Sequence, residues 1–308
     1  MYQDNVIALD LAKNVIQVCI LDKQNEVKTN RELRRQQVLN WLAKQAPSIV
    51  AMEACGSAHY WAKQARALGH QPILLSARFV KKFVEGHKTD KNDALAIGIS
   101  ALQPNLKPVS IKSDDQLALQ AMEKIRKHYQ DTAIATSNLV RAIAFEFGIV
   151  IPKGEKAFRE RLPDILEDAE NGLPMMLREP LHQQYQFWIS LKQQVRQAEK
   201  QLRVQLNTHE QCNELQKLDG VGPVNALNLY LALGTRGEAF KNGREAAACI
   251  GLTPKQHSSG GKVVMLGISR RIAKKQLRAN LIQGALAKIK IVAKRAPRNT
   301  REVWMKQL

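Results

Sequence analysis

VIALDLAKNVIQVCILDKQNEVKTNREL, residues 6–33, decides the fold. It reads as three short strands. VIALDLA is apolar and brief, NVIQVCILD alternates around Val15, Gln17 and Cys19, and EVKTNREL follows a polar DKQN turn. Outward from this stretch, QQVLNWLAKQA (36–46) has helical spacing and ends before Pro47. SIVAMEA (48–54) has the pattern of a buried strand and runs into a helix from about Ser57 to Leu68, closed by Gly69. QPILLSA (71–77) is a fifth strand, and a helix opens near Asp90.

The expected order is β-β-β-α-β-α-β-α. A three-strand meander followed by alternation is the ribonuclease-H-like layout, as in RuvC. A doubly wound nucleotide fold would alternate from its first strand and carry a Gly-rich first turn. Neither feature is present, and DLAKNV (10–15) is too poor in glycine for an actin-like phosphate loop.

Residues 113–148 read as one long helix, followed by a Pro/Gly-bearing connection from IPKGEKAF to NGLP and a second long helix over 175–207. In the second, Trp188, Leu191, Val195, Ala198 and Leu202 form a heptad seam. The seam suits either an intramolecular hairpin or a dimer contact. LQKLDGVGPVNALNLYLALG (215–234) then resembles a helix-hairpin-helix, whose turn seats a phosphate. A tight helix–helix turn uses the same residues. The fold class expected is α/β plus α: a RuvC-like domain (1–112), a helical coiled-coil segment (113–210) and a mostly helical C-terminal domain (211–308).

Charge narrows the partners. Lys and Arg number 47 against 28 Asp and Glu, a net +19. Residues 251–308 hold 14 of these bases and a single acid, Glu302. Such a bias points to a polyanion. Aromatics are only 5%, so phosphate contact should outweigh base stacking. Apolar runs fall short of a membrane span, no signal peptide is expected from MYQDNVIALD, and Cys19, Cys55, Cys212 and Cys249 form no CxxC. A reducing cytoplasm is the expected compartment.

Two acids are out of place in apolar strands. Asp10 follows Ile7, Ala8 and Leu9, and Glu53 closes IVAME. An ionised carboxylate there is costly unless paired or metal-bound. In a ribonuclease-H-like sheet the first and fourth strands are neighbours, which places Asp10 beside Glu53. The last helix adds Asp90 and Asp93, one turn apart on one face. Hard oxygen donors without a Cys/His cluster suit Mg²⁺. Each acid alone has an ordinary reading; Asp90, for instance, would serve as an N-cap. Lys88 and Lys91 flank the pair as candidate phosphate contacts.

A second constellation is CIGLTPKQHSSGGK (249–262), read as a polar loop after a helix. Ser258 or Ser259 beside Gly260 and Gly261 is an exposed hydroxyl, with His257, Lys255 and Lys262 near in sequence. The basic helix that follows, with Arg270, Arg271, Lys274, Lys275 and Arg278, is expected to pack one face and present the other to nucleic acid. Lys124 and Arg141 are candidates for holding RNA backbone.

DLAK around Asp10, MEACGSAHYW around Glu53, KTDKNDA at 88–94, the LDGVGP turn and GLTPxxxSSGGK occur in this order. Together they closely resemble the DEDD transposases of insertion sequences, the group that includes the Piv-type DNA invertases, over about residues 6–290. The resemblance implies catalytic and metal-binding roles for Asp10, Glu53, Asp90 and Asp93 with Mg²⁺. It implies Ser259 as the nucleophile, with Ser258 the adjacent alternative. It also implies cutting and rejoining of donor and target DNA through a serine–DNA intermediate, guidance by a noncoding bridge RNA, and a homo-oligomer (dimer or tetramer) with a composite site. The rival readings are a RuvC-like nuclease or junction resolvase using water, and a non-catalytic nucleic-acid-binding scaffold.

Overall fold

The computed structural model of the protein describes residues 5–22, 24–104, 106–234, 240–268 and 274–307. The chain divides into two compact units, residues 1–113 with 236–246, and residues 114–235 with 247–308.

In the first unit, β1 (Val6–Leu11), β2 (Val15–Leu21) and β3 (Val27–Arg34) form an antiparallel meander. Then come α1 (Val38–Leu42), β4 (Ile49–Glu53), α2 (Ala58–Ala67), β5 (Gln71–Leu75), α3 (Ala77–Val80) and α4 (Asp90–Ala101). The sheet order is β3-β2-β1-β4-β5, with β4 parallel to both β1 and β5. This is the ribonuclease-H-like order expected from residues 6–33. The helix expected over 36–46 is shorter, and α3 is an addition, started by Ser76 accepting from the Phe79 amide at 3.3 Å.

Strand alternation divides the core between two faces. Ile7, Leu9, Ile16, Val18, Val50, Met52 and Leu74 pack with Val38, Leu42, Trp61 and Ala62 of α1 and α2. Val6, Ala8, Cys19, Leu21, Ala51 and Leu75 pack with Ala94, Ile97 and Ala101 of α4. A central strand covered on both faces has no polar side to show, so VIAL is continuously apolar. Each such side chain stabilises the fold by about 1.5–3 kcal/mol on burial. Asp10 and Glu53 share the parity of Ala8 and Ala51 and therefore lie on the α4 face. Gly98 lets α4 approach closely, since a Cβ there would stand 2.7 Å from Leu21 Cδ1.

The second unit is built on α5 (Asp114–Glu146) and α7 (Met175–Asn207). They run antiparallel within the chain. Ala144, Val140 and Ala133 share one cluster with Leu181, Tyr185, Trp188 and Leu191, while Leu119 at the opposite end meets Leu202 and Leu206. The heptad seam is therefore filled by α5. The connection between them, read as Pro/Gly-bearing, contains α6 (Glu155–Glu167). Pro163 obscured it, but Phe158 and Leu162 are fully buried and hold the helix against α7.

Further on come α8 (Glu210–Gln216), α9 (Pro223–Leu233), α10 (Gly243–Ile250), β6 (Pro254–Ser259), β7 (Lys262–Ile268), α11 (Lys275–Ala293) and α12 (Thr300–Lys306). Leu229, Ile250 and Leu277 form a small core for α9, the end of α10 and α11. α10 ends at Ile250 as expected, but the polar loop expected after it carries one strand and the turn of an antiparallel hairpin. Gly260 and Gly261, both at positive φ (56° and 77°), make the two-residue turn that suits hairpin twist. PKQHSS carries no apolar alternation, so the strand was invisible until paired with KVVMLGI. The LDGVGP turn packs backbone to backbone on α11. Gly220 sits at φ 77°, and a Cβ there would stand 2.7 Å from the Gly284 carbonyl oxygen. Asn225 Nδ2 donates to the Asn280 carbonyl at 3.1 Å across the same contact.

Candidate active site

β1 and β4 deliver two acids to one edge of the sheet. The parallel register puts Leu9 opposite Met52, and Asp10 and Glu53 are the residues that follow that last pair on each strand. α4 delivers the other two. Its N-cap is Thr89, whose hydroxyl accepts from the Asn92 amide at 3.2 Å. Asp90, which alone could have been read as the cap, is the first helical residue instead. Asn92 Nδ2 donates to the carbonyls of His87 (2.8 Å) and Glu85 (3.3 Å), fastening the preceding loop to the helix. The capping work thus falls to Thr89 and Asn92, and both carboxylates remain available.

The four acids share one electrostatic environment. Burial pushes the Asp10 carboxyl up to about 6, and the carboxylates of Asp93, Asp90 and Glu53 push the same way against Lys88. Glu53 is likewise raised, by burial first and then by Asp93, again opposed by Lys88. Asp93 therefore acts on both strand acids, and Asp90 on Asp10. Among the described residues, no three Asp, Glu, His or Cys side chains have closed to chelating distance. The donor set still fits a hard divalent cation: all four groups are oxygen donors of like charge, neighbouring carboxylates raise Asp10 and Glu53, and a cation would relieve that repulsion. Asp10 and Glu53, with Asp90 and Asp93, are the residues that would hold it.

In the second unit, Ser259 ends β6 at the hairpin tip, paired in register with Lys262, and both are exposed. Ser258 Oγ accepts from Gln256 Nε2 at 2.7 Å. His257 lies two residues before Ser259, on the same side of the strand. Lys255 and Lys275 are exposed. Lys274 Nζ donates to the Ala232 carbonyl (3.0 Å) and approaches Cys249 Sγ (3.3 Å). Arg278 Nη1 donates to the Gly251 carbonyl at 3.2 Å. Arg270 and Arg271 lie outside the described residues. Arg141 is engaged within the helical pair: it donates to the Gly154 (2.8 Å) and Pro152 (3.3 Å) carbonyls and stacks over Phe158. That geometry gives it a structural role within the helical pair.

Comparison with known proteins bears on this geometry. Residues 7–147 match a transposase model of the DEDD type, and residues 212–300 match the model described as transposase IS116/IS110/IS902 family. A probable family 20 transposase of Pseudomonas aeruginosa is 35% identical over 303 residues, covering 98% of this chain and 88% of that protein. The chain belongs to the IS116/IS110/IS902 transposase family. It is accordingly an enzyme of DNA cutting and rejoining. The transposase for insertion sequence element IS1111A of Coxiella burnetii is 33% identical over 303 residues, 98% of this chain and 82% of that protein. A pilin gene-inverting protein of Moraxella bovis is 23% identical over 302 residues, 91% of this chain and 81% of its own length. Among residues that sequence reasoning passed over, Gln17 had left a signal, a lone amide within the apolar run NVIQVCIL. Asn30, in an exposed-looking edge strand, left none.

Proposed function

We propose that this transposase is an RNA-guided DNA recombinase of an insertion sequence. In this reading Asp10, Glu53, Asp90 and Asp93 form a Mg²⁺ site and Ser259 is the nucleophile. The observation that carries it is the convergence of carboxylates on Asp10, at the end of the β1–β4 pairing under α4: burial pushes it up to about 6, with Asp93, Asp90 and Glu53 contributing. Bound there, Mg²⁺ would supply Lewis acidity at a phosphodiester. Ser259 Oγ attacks phosphorus and forms a serine–DNA ester. The displaced DNA oxygen leaves and takes up a proton, and a DNA hydroxyl later reverses the step to rejoin the strand. His257 is the proton acceptor this chain offers beside the serine, and Lys262, paired with Ser259, offsets phosphate charge.

The net charge of +19 supports nucleic-acid partners, and we assign donor DNA, target DNA and a bridge RNA to them by family. Lys255, Lys262, Lys275, Arg278 and, outside the described residues, Arg270 and Arg271 are the proposed backbone contacts. Lys274 belongs to the same set through its place at the start of α11.

End-labelled element DNA incubated with the protein and Mg²⁺, then run under denaturing conditions, tests the reading. Wild type should give a covalent protein–DNA adduct, lost in Ser259→Ala and in Asp10→Asn and kept in Ser258→Ala. An adduct that survives Ser259→Ala refutes the serine mechanism. Strand cleavage with no adduct would favour water as nucleophile. RNA copurifying with the protein should be one structured species encoded beside the gene.

A further inference from the structure

Behind the acids runs a pair of amides that the proposed chemistry does not use. Gln17 on β2 stands opposite Asp10 on β1 and is 2% exposed. Its Nε2 donates to Asn30 Oδ1 on β3 at 2.7 Å, and Asn30 Nδ2 donates to the main-chain carbonyl of Lys91 at 3.0 Å. Lys91 sits between Asp90 and Asp93 in the first turn of α4. Among the described residues, this is the side-chain hydrogen bond that ties that turn to the sheet; Thr89 and Asn92 tie it to the preceding loop.

The Lys91 carbonyl can only accept, so it fixes the orientation of both amides. Asn30 must turn its nitrogen to Lys91 and its oxygen to Gln17. Gln17 must then give its nitrogen to Asn30, which leaves Gln17 Oε1 buried with no partner among the described residues. An unpaired buried amide oxygen is costly. A relay kept at that cost, beside four like charges, has a use beyond holding the sheet together. Two of the acids ride on strands and two on a helix that their mutual repulsion tends to push away. A hydrogen bond from β3 to the helix turn opposes that separation.

We infer that Gln17 and Asn30 are positioning residues, an amide relay from the strand position facing Asp10 to the Lys91 carbonyl that sets how far Asp90 and Asp93 stand from Asp10 and Glu53. The inference rests on the reading of those acids as a divalent-metal site. Outer partners that orient ligands typically change metal affinity by about 10–100-fold when removed.

The test is Mn²⁺ binding to the full chain, followed by the paramagnetic signal of free Mn²⁺, with thermal unfolding in EDTA measured in parallel. Asn30→Ala and near-isosteric Gln17→Met should each weaken Mn²⁺ binding about tenfold, and the double variant no further, because the two act as one unit. Cys19→Ala is the control: Cys19 is buried on the same face and pairs with Asn30 across the strands, yet it has no part in the relay. It should lower the unfolding temperature and leave Mn²⁺ affinity unchanged. The inference is overturned if either amide variant keeps wild-type affinity, or if Cys19→Ala weakens binding as much as they do. Wild type and Asp10→Asn separate the two levels. Should they bind Mn²⁺ alike, the metal reading itself fails and the inference falls with it.

Discussion

Asp10 and Glu53 follow the last paired residues, Leu9 and Met52, of two neighbouring parallel strands, on the face of the sheet that α4 covers. The pairing follows from strand order alone, and it sets like charges together at a partly buried edge. Function here works against stability. Asp10 has its folded carboxyl raised from 3.8 to about 6, first by burial and then by its acidic neighbours. Such a group is protonated at no penalty below pH 3.8. The penalty for ionising it in the fold grows as pH rises toward 6 and is complete above that. Asp10→Asn should therefore be more stable than wild type in EDTA at pH 7.5, by about 1–2 kcal/mol once partial solvation is allowed for, and should unfold at a higher temperature. At pH 4 the two should nearly coincide. Calorimetry at the two pH values checks the sign.

Asp93 and Asp90 are unequal. Asp93 raises both Asp10 and Glu53, whereas Asp90 acts on Asp10 alone. Asp93→Asn should reduce DNA cleavage about tenfold more than Asp90→Asn, because Asp93 faces both strand acids and Asp90 only one. Equal losses in a cleavage time course would contradict this ordering.

Gly284 lies inside α11, where alanine would normally favour the helix by about 1 kcal/mol. Here its Cβ would strike the Gly220 carbonyl oxygen, a backbone atom that cannot swing aside. Gly284→Ala should lower stability by about 1–3 kcal/mol. A melting temperature at or above that of wild type would mean that α11 and the LDGVGP turn are not in contact.

Glu302 anchors α12. Its carboxylate accepts from Arg295 Nη2 (2.6 Å) and Nη1 (2.8 Å) and from the Arg298 amide (2.8 Å), and pairs with Lys288 Nζ (3.3 Å). Arg295 first, then the Arg298 amide, hold its carboxyl down to about 2. A depressed acid stabilises above its unfolded value and loses that contribution as pH falls through the folded one. The protection of α12 amides against hydrogen exchange, corrected for the intrinsic rate, should fall as pH drops from about 4.5 to 2 in wild type. In Glu302→Gln it should be low already at neutral pH, with no such window.

The first unit was legible because its signals are local and repeated. Three short strands in 6–33, an acid in each of two apolar strands and a helix start near Asp90 all survive folding, although Thr89 and not Asp90 is the cap. The two long helices were legible for the same reason, and burial of Trp188 and Leu191 against α5 resolves what the heptad left open. Three things were not legible. α6 hid behind Pro163, because proline at an interior position argues against helix until tertiary burial of Phe158 outweighs it. β6 hid because PKQHSS is polar on both faces, and only pairing with β7 makes it a strand. The Gln17–Asn30–Lys91 relay hid because it joins residues 13 and 61 positions apart, which no periodicity records.

The central claim is that four acids from two strands and one helix form a single divalent-metal centre. Isothermal titration of the full chain with Mg²⁺ at pH 7.5 tests it most directly. The account predicts a saturable heat for wild type that is lost in Asp10→Asn and in Asp93→Asn, with both variants folded by circular dichroism. Binding that persists unchanged in either variant, or is absent from wild type, would contradict it.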